Sequence, residues 1–325
     1  SFAPLWLTQA ACLTHRFSEE TKMSDYTHPY RDTTFVLKEL VEFEALCASA
    51  HLDDVNDELV SAILAEAGRL GSGVLAPLNR IGDTQGSRLN EQGVQEAPGF
   101  ADAYHQFQAG GWPSLTAAEA WGGQNLPNVI GTAVSEIWHS ANMAFALCPM
   151  LTQGSIEAIA HHGSPALREA YLSKLVSGEW TGTMNLTEPD AGSDLAAIKS
   201  RAIPQGDHYL ISGQKIFITW GDHQMTDNVV HLVLARLPDA PAGVKGISLF
   251  LVPKFLLDAK GEPGARNDAC CISLEHKLGI HGSPTCVMSF GDNGGAIGYL
   301  VGEPHQGLAC MFTMMNHARQ SVGLQ

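Results

Sequence analysis

The feature that most constrains this chain is one change of hydrophobic period near Gly182. Before it, from about residue 33, apolar residues recur at helical spacing, as in "TTFVLKELVEFEALCASA" and "DELVSAILAEAGRL". After it come short runs rich in β-branched and aromatic residues, such as "NVVHLVLARL" and "KGISLFLVPKF", separated by turn signals. Because helices and strands are segregated along the chain, the sequence predicts an α+β protein rather than a doubly wound sheet.

The same pattern predicts the domain boundaries. We expect an all-helical N-terminal domain at 57–181 and a middle domain at 182–302 built as a β-barrel or sandwich. Residues 303–325 return to the helical period and are predicted to be the first helix of a truncated C-terminal helical domain. Residues 23–56 form an N-terminal extension. Residues 1–22 precede Met23 and are expected to be non-native or an upstream leader.

Local signals refine these elements. Asp57 is expected to cap a helix with Leu59, Ile63, Leu64 and Ala67 on its apolar face. Ser164 followed by Pro165 predicts another helix start. "HYLISGQKIFIT" is predicted to be a strand, a short turn and a second strand.

Composition excludes several functional classes. The net charge is −15, with 19 basic and 34 acidic side chains and no cluster of Lys and Arg, which disfavours nucleic-acid binding. The seven cysteines are irregularly spaced without a CxxC pair, so we expect reduced thiols and a cytoplasmic location. The HExxH pattern of zinc sites does not occur in the sequence, so no metal site is predicted. No apolar run reaches the ~18 residues of a membrane span.

The stretch "MNLTEPDAGSD" at 184–194 lies where the two patterns meet. Pro189 and Gly192 bend the backbone, while Thr187 and Ser193 supply hydroxyl groups. A plain surface loop and the polar rim of a binding pocket both fit these residues. No GxGxxG follows a predicted strand and no GxxxxGK[ST] occurs, so nicotinamide-Rossmann and P-loop sites are disfavoured.

"LTEPDAGSD", followed about twenty residues later by "GQKIFIT", resembles the middle domain of the FAD-dependent acyl-CoA dehydrogenase family. The family patterns are T-E-P-x-A-G-S-D and G-x-K-x-[WF]-I-[TS]. "GWPSLTAAEAWGGQNLP", "GIHGSPTCVMSFGD" and "MNHARQSVGLQ" are similar to other segments of the family, in order over 57–325. "HPYRDTTFVLKEL" resembles the extension of a longer subgroup, which includes an enzyme acting on 3-methylthiopropanoyl-CoA.

The resemblance implies α,β-dehydrogenation of an acyl-CoA thioester, with FAD as cofactor. It implies that residues 184–193 and 217–219 line the flavin. The cofactor-binding candidates are Met184, Leu186, Thr187, Gly192, Ser193, Phe217, Ile218 and Thr219. The substrate-binding candidates are Ser193, Asn316 and Arg319. Met184 departs from the aromatic residue of many relatives. Phe217 taken alone is by default interpreted as a core aromatic, since an aromatic residue in a strand usually faces a core.

The family resemblance also implies where the catalytic base lies. Most relatives carry it as a Glu far into the C-terminal domain, and a minority carry it just before the arginine of the helix at 306–325. Here that position is Ala318, which cannot take a proton. We therefore expect no catalytic residue in this chain, an inactive isolated fragment, and capping or ion-pair roles for Glu188 and Asp194.

Further expectations follow for partners. The family implies an electron-transfer flavoprotein as electron acceptor and a homodimer or homotetramer for the full-length protein. Two other functions remain open, a catalytically inactive module that binds flavin and acyl-CoA, and an acyl-CoA oxidase. The acidic balance weighs against a DNA-associated member of the broader family.

Overall fold

A computed structural model describes residues 26–50, 52 and 54–325. The expectation for residues 1–22 lies outside the described residues. The helices, in chain order, are α1 Tyr30–Phe35, α2 Phe43–Ser49, α3 Asp57–Leu70, α4 Ala76–Gln85, α5 Phe100–Ala109, α6 Asn128–His162, α7 Pro165–Val176 and α8 Gly307–Leu324. Short π-helical turns at Val36–Leu40 and Gly71–Leu75 follow α1 and α3.

The N-terminal part is helical, as the periodicity predicts, with one small exception. The strands β1 Arg88–Asn90 and β2 Gly93–Gln95 form an antiparallel hairpin between α4 and α5. These two strands have only 3 residues each, too few for an alternating pattern to reveal them in the sequence. The hairpin contacts the middle domain, since Val94 N–H donates to the buried Asp222 carboxylate at 3.2 Å.

The long helix α6 forms the centre of the helical domain. It spans 35 residues but contains a non-helical residue, Asn142, at φ −158° and ψ 90°. The Asn142 side chain accepts from Phe145 N–H at 3.1 Å and donates to the Leu75 carbonyl at 3.1 Å. Asn142 therefore caps the second half of the helix inside the core, where no water replaces the missing backbone bonds.

Several local predictions can be compared with this structure. Ser164 caps α7 through Leu167 N–H with Pro165 at the first helical position, as predicted. The prediction for Asp57 was wrong, because Asn56 is the cap, accepting from Leu59 N–H at 3.0 Å. In that helix Leu64 and Ala67 are buried, Ile63 is half-buried and Leu59 is exposed.

The strands of the middle part follow α7. They are β3 Trp180–Asn185, β4 Arg201–Gln205, β5 His208–Thr219, β6 Asn228–Arg236, β7 Ile247–Pro253, β8 Phe255–Leu257, β9 Pro263–Arg266, β10 Ala269–Leu274, β11 Thr285–Phe290 and β12 Ala296–Val301. The first strand thus begins at Trp180, two residues before the predicted change of pattern.

The strands form the predicted barrel. β6, β7, β12, β5 and β4 pair in sequence, and β4 returns to β6 through Arg201 and Arg236, which closes the ring. β3 adds to β6 in parallel, and the hairpin of β10 and β11 adds to the far half of β5. Closure leaves the barrel without free edges, while the attached strands extend it toward the helices.

The longest of these strands differs from its prediction. β5 is one continuous strand of 12 residues, where the sequence predicted two strands joined by a short turn. Gly213 fits within the strand at φ +141°, and a Cβ there would collide with Ser200. β5 therefore runs from the barrel to β11, and its second half carries the predicted site residues Phe217, Ile218 and Thr219.

The helical and barrel parts pack through α6. A Cβ on Gly182 of β3 would collide with Ser155 Oγ of α6, and a Cβ on Gly154 of α6 would lie 2.9 Å from Met314 Cγ of α8. Trp220, directly after β5, donates its indole N–H to the Ala144 carbonyl of α6 at 2.9 Å. These close approaches build the stack of β3, α6 and α8 on which the site rests.

In the part of the chain that the structure describes, two helical stretches are long and apolar enough to cross a membrane, Asp57–Gln85 and Asn128–His162. In the second, 61% of the most apolar window is buried within the fold, as in the core helix of a globular domain. The sequence prediction of no membrane span stays a prediction. Within the described residues, no three His, Cys, Asp or Glu side chains converge as metal ligands would.

Candidate functional site

The turn at 187–193 is closed by its own backbone. Glu188 N–H donates to the Ala191 carbonyl at 2.9 Å, and Ala191 N–H donates back to the Glu188 carbonyl at 3.0 Å. Asp190 at the tip pairs with Lys199 at 2.6 Å in an exposed contact. This closure projects Gly192 and Ser193 to the exposed side of the turn.

A buried ion pair lies beneath this turn. The Lys215 ammonium of β5 donates to Glu188 Oε1 at 2.8 Å and to the Leu186 carbonyl at 2.9 Å. The Glu188 carboxylate also accepts from the backbone N–H groups of Lys199 and Ser200, at 2.6 and 3.1 Å. Glu188 thus has the capping and ion-pair role expected from the sequence, and Asp194 caps Ala196 N–H at 2.9 Å.

The environment sets the charge of this pair. Burial lowers the pKa of Lys215 to about 8, and the Glu188 carboxylate opposes that effect. Burial acts to raise the pKa of Glu188, but Lys215 and the backbone N–H donors outweigh it, so the pKa falls below its ordinary value. Both groups are charged near neutral pH and hold each other in place. Lys215 was not among the predicted site residues, although it lies within the segment "GQKIFIT" on which the family resemblance rests.

Phe217 stands out from its strand. Its backbone is left-handed, at φ +60°, and its side chain is 59% exposed, although the residues on both sides in β5 are half-buried or buried. The register between β5 and β11 shifts at this point, which marks a β-bulge. A bulky residue in this conformation is strained by about 1–2 kcal/mol, and bulges and strain of this kind concentrate at functional sites.

The turn and the bulged strand are directly joined. Ile216 N–H donates to the Thr187 carbonyl at 2.9 Å, one residue before Phe217. Gly192 lies beside Thr187, since a Cβ at Gly192 would be 3.6 Å from Thr187 Cγ2. The structure therefore brings Thr187, Gly192 and Phe217 onto adjoining segments. Thr219 follows on the same strand, half-buried and paired with Thr285 of β11.

The remaining predicted cofactor residues face inward. Leu186 and Ile218 are buried in hydrophobic clusters, so only their backbone groups can face a ligand. Met184 is half-buried and packs against the helical core from the face of β3 opposite Thr183 and Asn185. The side chains available at the surface are thus those of Thr187, Ser193, Phe217 and Thr219.

The predicted substrate residues Asn316 and Arg319 lie on α8, which packs against α6 and β7. Arg319 donates to the Asn316 amide oxygen at 2.8 Å and lies over the Phe312 ring at 5.5 Å. Both side chains are exposed, and they follow Met314, which packs on α6. The structure brings Asn316 and Arg319 together with each other, and their link to the turn runs through α6 and β3.

The donor set of the turn and strand fits a planar cofactor with polar edges. Phe217 offers an exposed aromatic face, Thr187 and Thr219 offer hydroxyl groups, and Ser193 offers a third at the exposed end. Neither the backbone conformation of Gly192 nor crowding around its Cβ position requires a glycine. The missing side chain instead leaves space for close approach of a ligand. The residues present therefore fit an isoalloxazine ring.

Comparison with known proteins agrees with this geometry. The N-terminal domain model of acyl-CoA dehydrogenases matches residues 87–179 and the middle domain model matches residues 183–293. The chain belongs to the acyl-CoA dehydrogenase family, whose members are FAD-dependent.

Among curated relatives, the 3-methylmercaptopropionyl-CoA dehydrogenase of Ruegeria pomeroyi is 50% identical over 301 residues, covering 92% of this chain and 51% of the relative. A butyryl-CoA dehydrogenase of Syntrophomonas wolfei is 36% identical over 311 residues, with 92% and 51% coverage. The chain thus spans about half the length of the curated relatives it matches.

Solved structures show the same fold. The acyl-CoA dehydrogenase of Geobacillus kaustophilus superposes with a TM-score of 0.67 and 23% identity, over 83% of this chain and 64% of that chain. PigA, in a structure described as its FAD complex, superposes with a TM-score of 0.64 and 20% identity over the same shares, 83% and 64%.

Proposed function

We propose that the protein catalyses FAD-dependent α,β-dehydrogenation of an acyl-CoA thioester to the 2-enoyl-CoA. The observation that carries this proposal is the strained, exposed Phe217 beside the Thr187–Ser193 turn. A large aromatic side chain that points outward from a left-handed backbone destabilises the fold. Packing against a bound ring would explain why this conformation is kept. Membership in the acyl-CoA dehydrogenase family supports the identity of that ring.

Each surface residue has a distinct task in this proposal. Phe217 packs against the isoalloxazine and keeps water from that face, and the hydroxyls of Thr187 and Thr219 hold its polar edge. Ser193 lies at the exposed end of the turn, where cofactor and thioester meet. Bound FAD would supply the hydride-accepting chemistry for the β-hydrogen, and the protein's part is to orient the thioester.

The α-proton needs an acceptor that these residues do not supply. Glu188 is held by Lys215 and by two backbone N–H groups, and Asp194 caps a short helical turn. Ala318 occupies the position where a minority of the family has a base. We therefore propose that the catalytic carboxylate belongs to the part of the relatives' length that these 325 residues do not span.

The relatives also suggest the substrate and partners. The 50% identity to 3-methylmercaptopropionyl-CoA dehydrogenase supports a short thioether acyl group, 3-methylthiopropanoyl-CoA, as the first substrate to test. We further propose an electron-transfer flavoprotein as electron acceptor, a homodimer or homotetramer for the whole protein, and a cytoplasmic location. The six described cysteines, which are all free thiols, support that location.

The proposal is tested by mixing the full-length protein, loaded with FAD, anaerobically with 3-methylthiopropanoyl-CoA or butanoyl-CoA. Loss of the visible flavin absorbance, with formation of the 2-enoyl product, is the expected result. A protein that binds FAD but keeps its colour with every acyl-CoA would instead be a binding module. Peroxide formed in stoichiometric amount under air would identify an oxidase.

A further inference from the structure

We infer that Arg236 is a positioning residue that fixes the segment after Ser193 and thereby sets the affinity for the acyl-CoA thioester. This inference rests on the proposed function of the same site. Arg236 ends β6 and lies at the point where the barrel ring closes, paired through the backbone with Arg201 of β4. It was not singled out in the sequence, where it is one of many isolated arginines.

The Arg236 guanidinium holds two separate segments at once. Its Nε and Nη2 donate to the carbonyls of Ile198 and Ala196, at 3.2 and 2.7 Å, in the segment that follows the turn. Its Nη1 and Nη2 donate to the carbonyls of Pro241 and Gly243, at 3.2 and 2.8 Å, in the loop between β6 and β7. The planar fork of five N–H donors makes this geometry specific to arginine.

The hydrogen-bond partners of this guanidinium are backbone carbonyls. Among the described residues, no carboxylate lies within ion-pair distance of Arg236, so the carbonyl oxygens receive charge-assisted hydrogen bonds. The packing around it is tight, because a Cβ on Gly246 would lie 2.8 Å from Nη1 and would collide with the Pro241 carbonyl. This clamp, the Arg236 side chain, is therefore tightly packed on the side of the loop between β6 and β7, and hydrogen bonds hold it to the other segment.

Ser193 lies between two fixed points in the chain. On one side Ala191 is held in the turn by Glu188, and on the other Ala196 is held by Arg236. Arg236 N–H also binds the Ser200 carbonyl at 2.9 Å, which fixes the end of the same segment. Removing the clamp frees residues 194–198 and lets the Ser193 hydroxyl move, while the Lys215 and Phe217 contacts stay intact.

The test uses full-length, FAD-loaded protein with Arg236→Met, Arg236→Lys and the control Arg201→Met. Arg201 is exposed and is the backbone partner of Arg236, and its guanidinium makes no hydrogen bond within the described chain. Arg236→Met is expected to raise KM for the acyl-CoA about tenfold or more, with kcat changed less than threefold and FAD content unchanged. Arg236→Lys is expected to raise KM less than Arg236→Met, because the three donors of lysine can reach some but not all of the four carbonyls. Added guanidinium ion is expected to lower the KM of Arg236→Met toward that of the unmodified enzyme.

An unchanged KM in Arg236→Met, or the same rise in Arg201→Met, overturns the inference. Absence of turnover in the unmodified enzyme would instead end the proposed function, and this inference with it. If Arg236→Met does not fold, amide hydrogen exchange in the unmodified protein decides. Binding of an acyl-CoA is then expected to slow exchange in 194–198 and 241–243 together, and unchanged exchange in 194–198 contradicts the inference.

Discussion

The Lys215 ammonium lies 2.8 Å from the Glu188 carboxylate, with the two side chains 0% and 6% exposed. This contact crosses from β5 to the turn after β3 and so joins the two segments that form the candidate site. Removing one partner leaves a buried charge without compensation, which typically costs about 3–5 kcal/mol. We expect Lys215→Met to destabilise the protein by that amount in urea denaturation.

The exposed pair of Lys199 and Asp190 serves as its control. The distance is similar, 2.6 Å, but both side chains are about 70% exposed, so Lys199→Met is expected to cost less than about 1 kcal/mol. The double variant Glu188→Gln with Lys215→Met should lose less than the sum of the single variants, because neither charge remains alone. Equal losses for Lys215→Met and Lys199→Met would contradict a coupling role for the buried pair.

A substitution at Gly192 distinguishes an effect on FAD binding from an effect on the stability of the fold. Its φ is not left-handed, and a Cβ there meets only Thr187 Cγ2 at 3.6 Å, so Gly192→Ala should change the free energy of unfolding by less than about 1 kcal/mol. We expect FAD affinity to fall about tenfold all the same. Gly73→Ala, with nothing within 4 Å of its Cβ position, should leave FAD affinity intact. Fluorescence titration with FAD measures both, and unaltered affinity in Gly192→Ala would count against close approach of the flavin.

A substitution at Phe217 also distinguishes an effect on FAD binding from an effect on stability. Phe217→Gly relieves a left-handed backbone, worth about 1–2 kcal/mol, but loosens the unfolded chain by about 0.4–1 kcal/mol, so the two effects partly offset each other and leave a small net stabilisation. We therefore expect a melting temperature close to that of the unmodified protein, together with a large loss of FAD retention. The neighbour Ile218 is 2% exposed, so Ile218→Gly should instead destabilise the fold by about 2–5 kcal/mol. If the Phe217→Gly protein keeps its FAD, the Phe217 side chain is not needed for FAD binding.

Two buried histidines predict a pH dependence of stability. Burial lowers the pKa of His223 and of His231 to about 3, with Lys254 adding to the effect at His223. Their rings bind the hydroxyls of Thr181 and Thr183 at 2.9 and 2.7 Å inside the barrel. Since unfolded histidine titrates near 6.5, their stabilising contribution is complete above about pH 6.5 and is lost as the pH falls toward 3, by about 1.4 kcal/mol per pH unit for each ring.

Urea denaturation between pH 7 and pH 5 measures this slope. His231→Asn is expected to reduce the slope, because one of the two buried rings no longer takes up a proton on unfolding. The variant is less stable at pH 7, so the slope and not the absolute stability is the test. A slope that is the same in both proteins would show that His231 does not contribute to the loss of stability in acid.

The order of elements could be predicted from sequence because it depends on short-range periodicity. The change from helices to strands near residue 182, the cap of α7 by Ser164 ahead of Pro165, and the cap by Asp194 all follow from local residue chemistry. The left-handed Phe217, the break at Asn142 and the continuity of β5 through Gly213 depend on contacts with distant strands and helices. The segment "TTFVLKELVEFEALCASA" shows the same limit. Its helical spacing is visible in the sequence, but Leu37 and Phe43 are buried while Phe35, Leu40 and Val41 are exposed.

The candidate site divides in the same way. The types of side chain at Thr187, Ser193, Phe217 and Thr219 were readable from the motif, while their burial was not. Leu186 and Ile218 were predicted from the same motif, but their side chains pack in the core and leave only backbone groups for a ligand. Arg236 acts through carbonyls that are remote in sequence, so only the folded chain reveals its role. The partners of Lys215 are also remote in sequence, although the lysine itself lies in the quoted segment "GQKIFIT".

The measurement that tests the central claim most directly is FAD binding by the full-length protein and its Thr187→Val and Thr219→Val variants. Each substitution removes one hydroxyl and keeps the shape of the side chain. We predict one tightly bound FAD per unmodified chain, and affinity at least about tenfold weaker in each variant at an unchanged melting temperature. A well-folded protein that binds no FAD, or whose affinity is indifferent to both hydroxyls, would contradict a flavin seated between this turn and this strand.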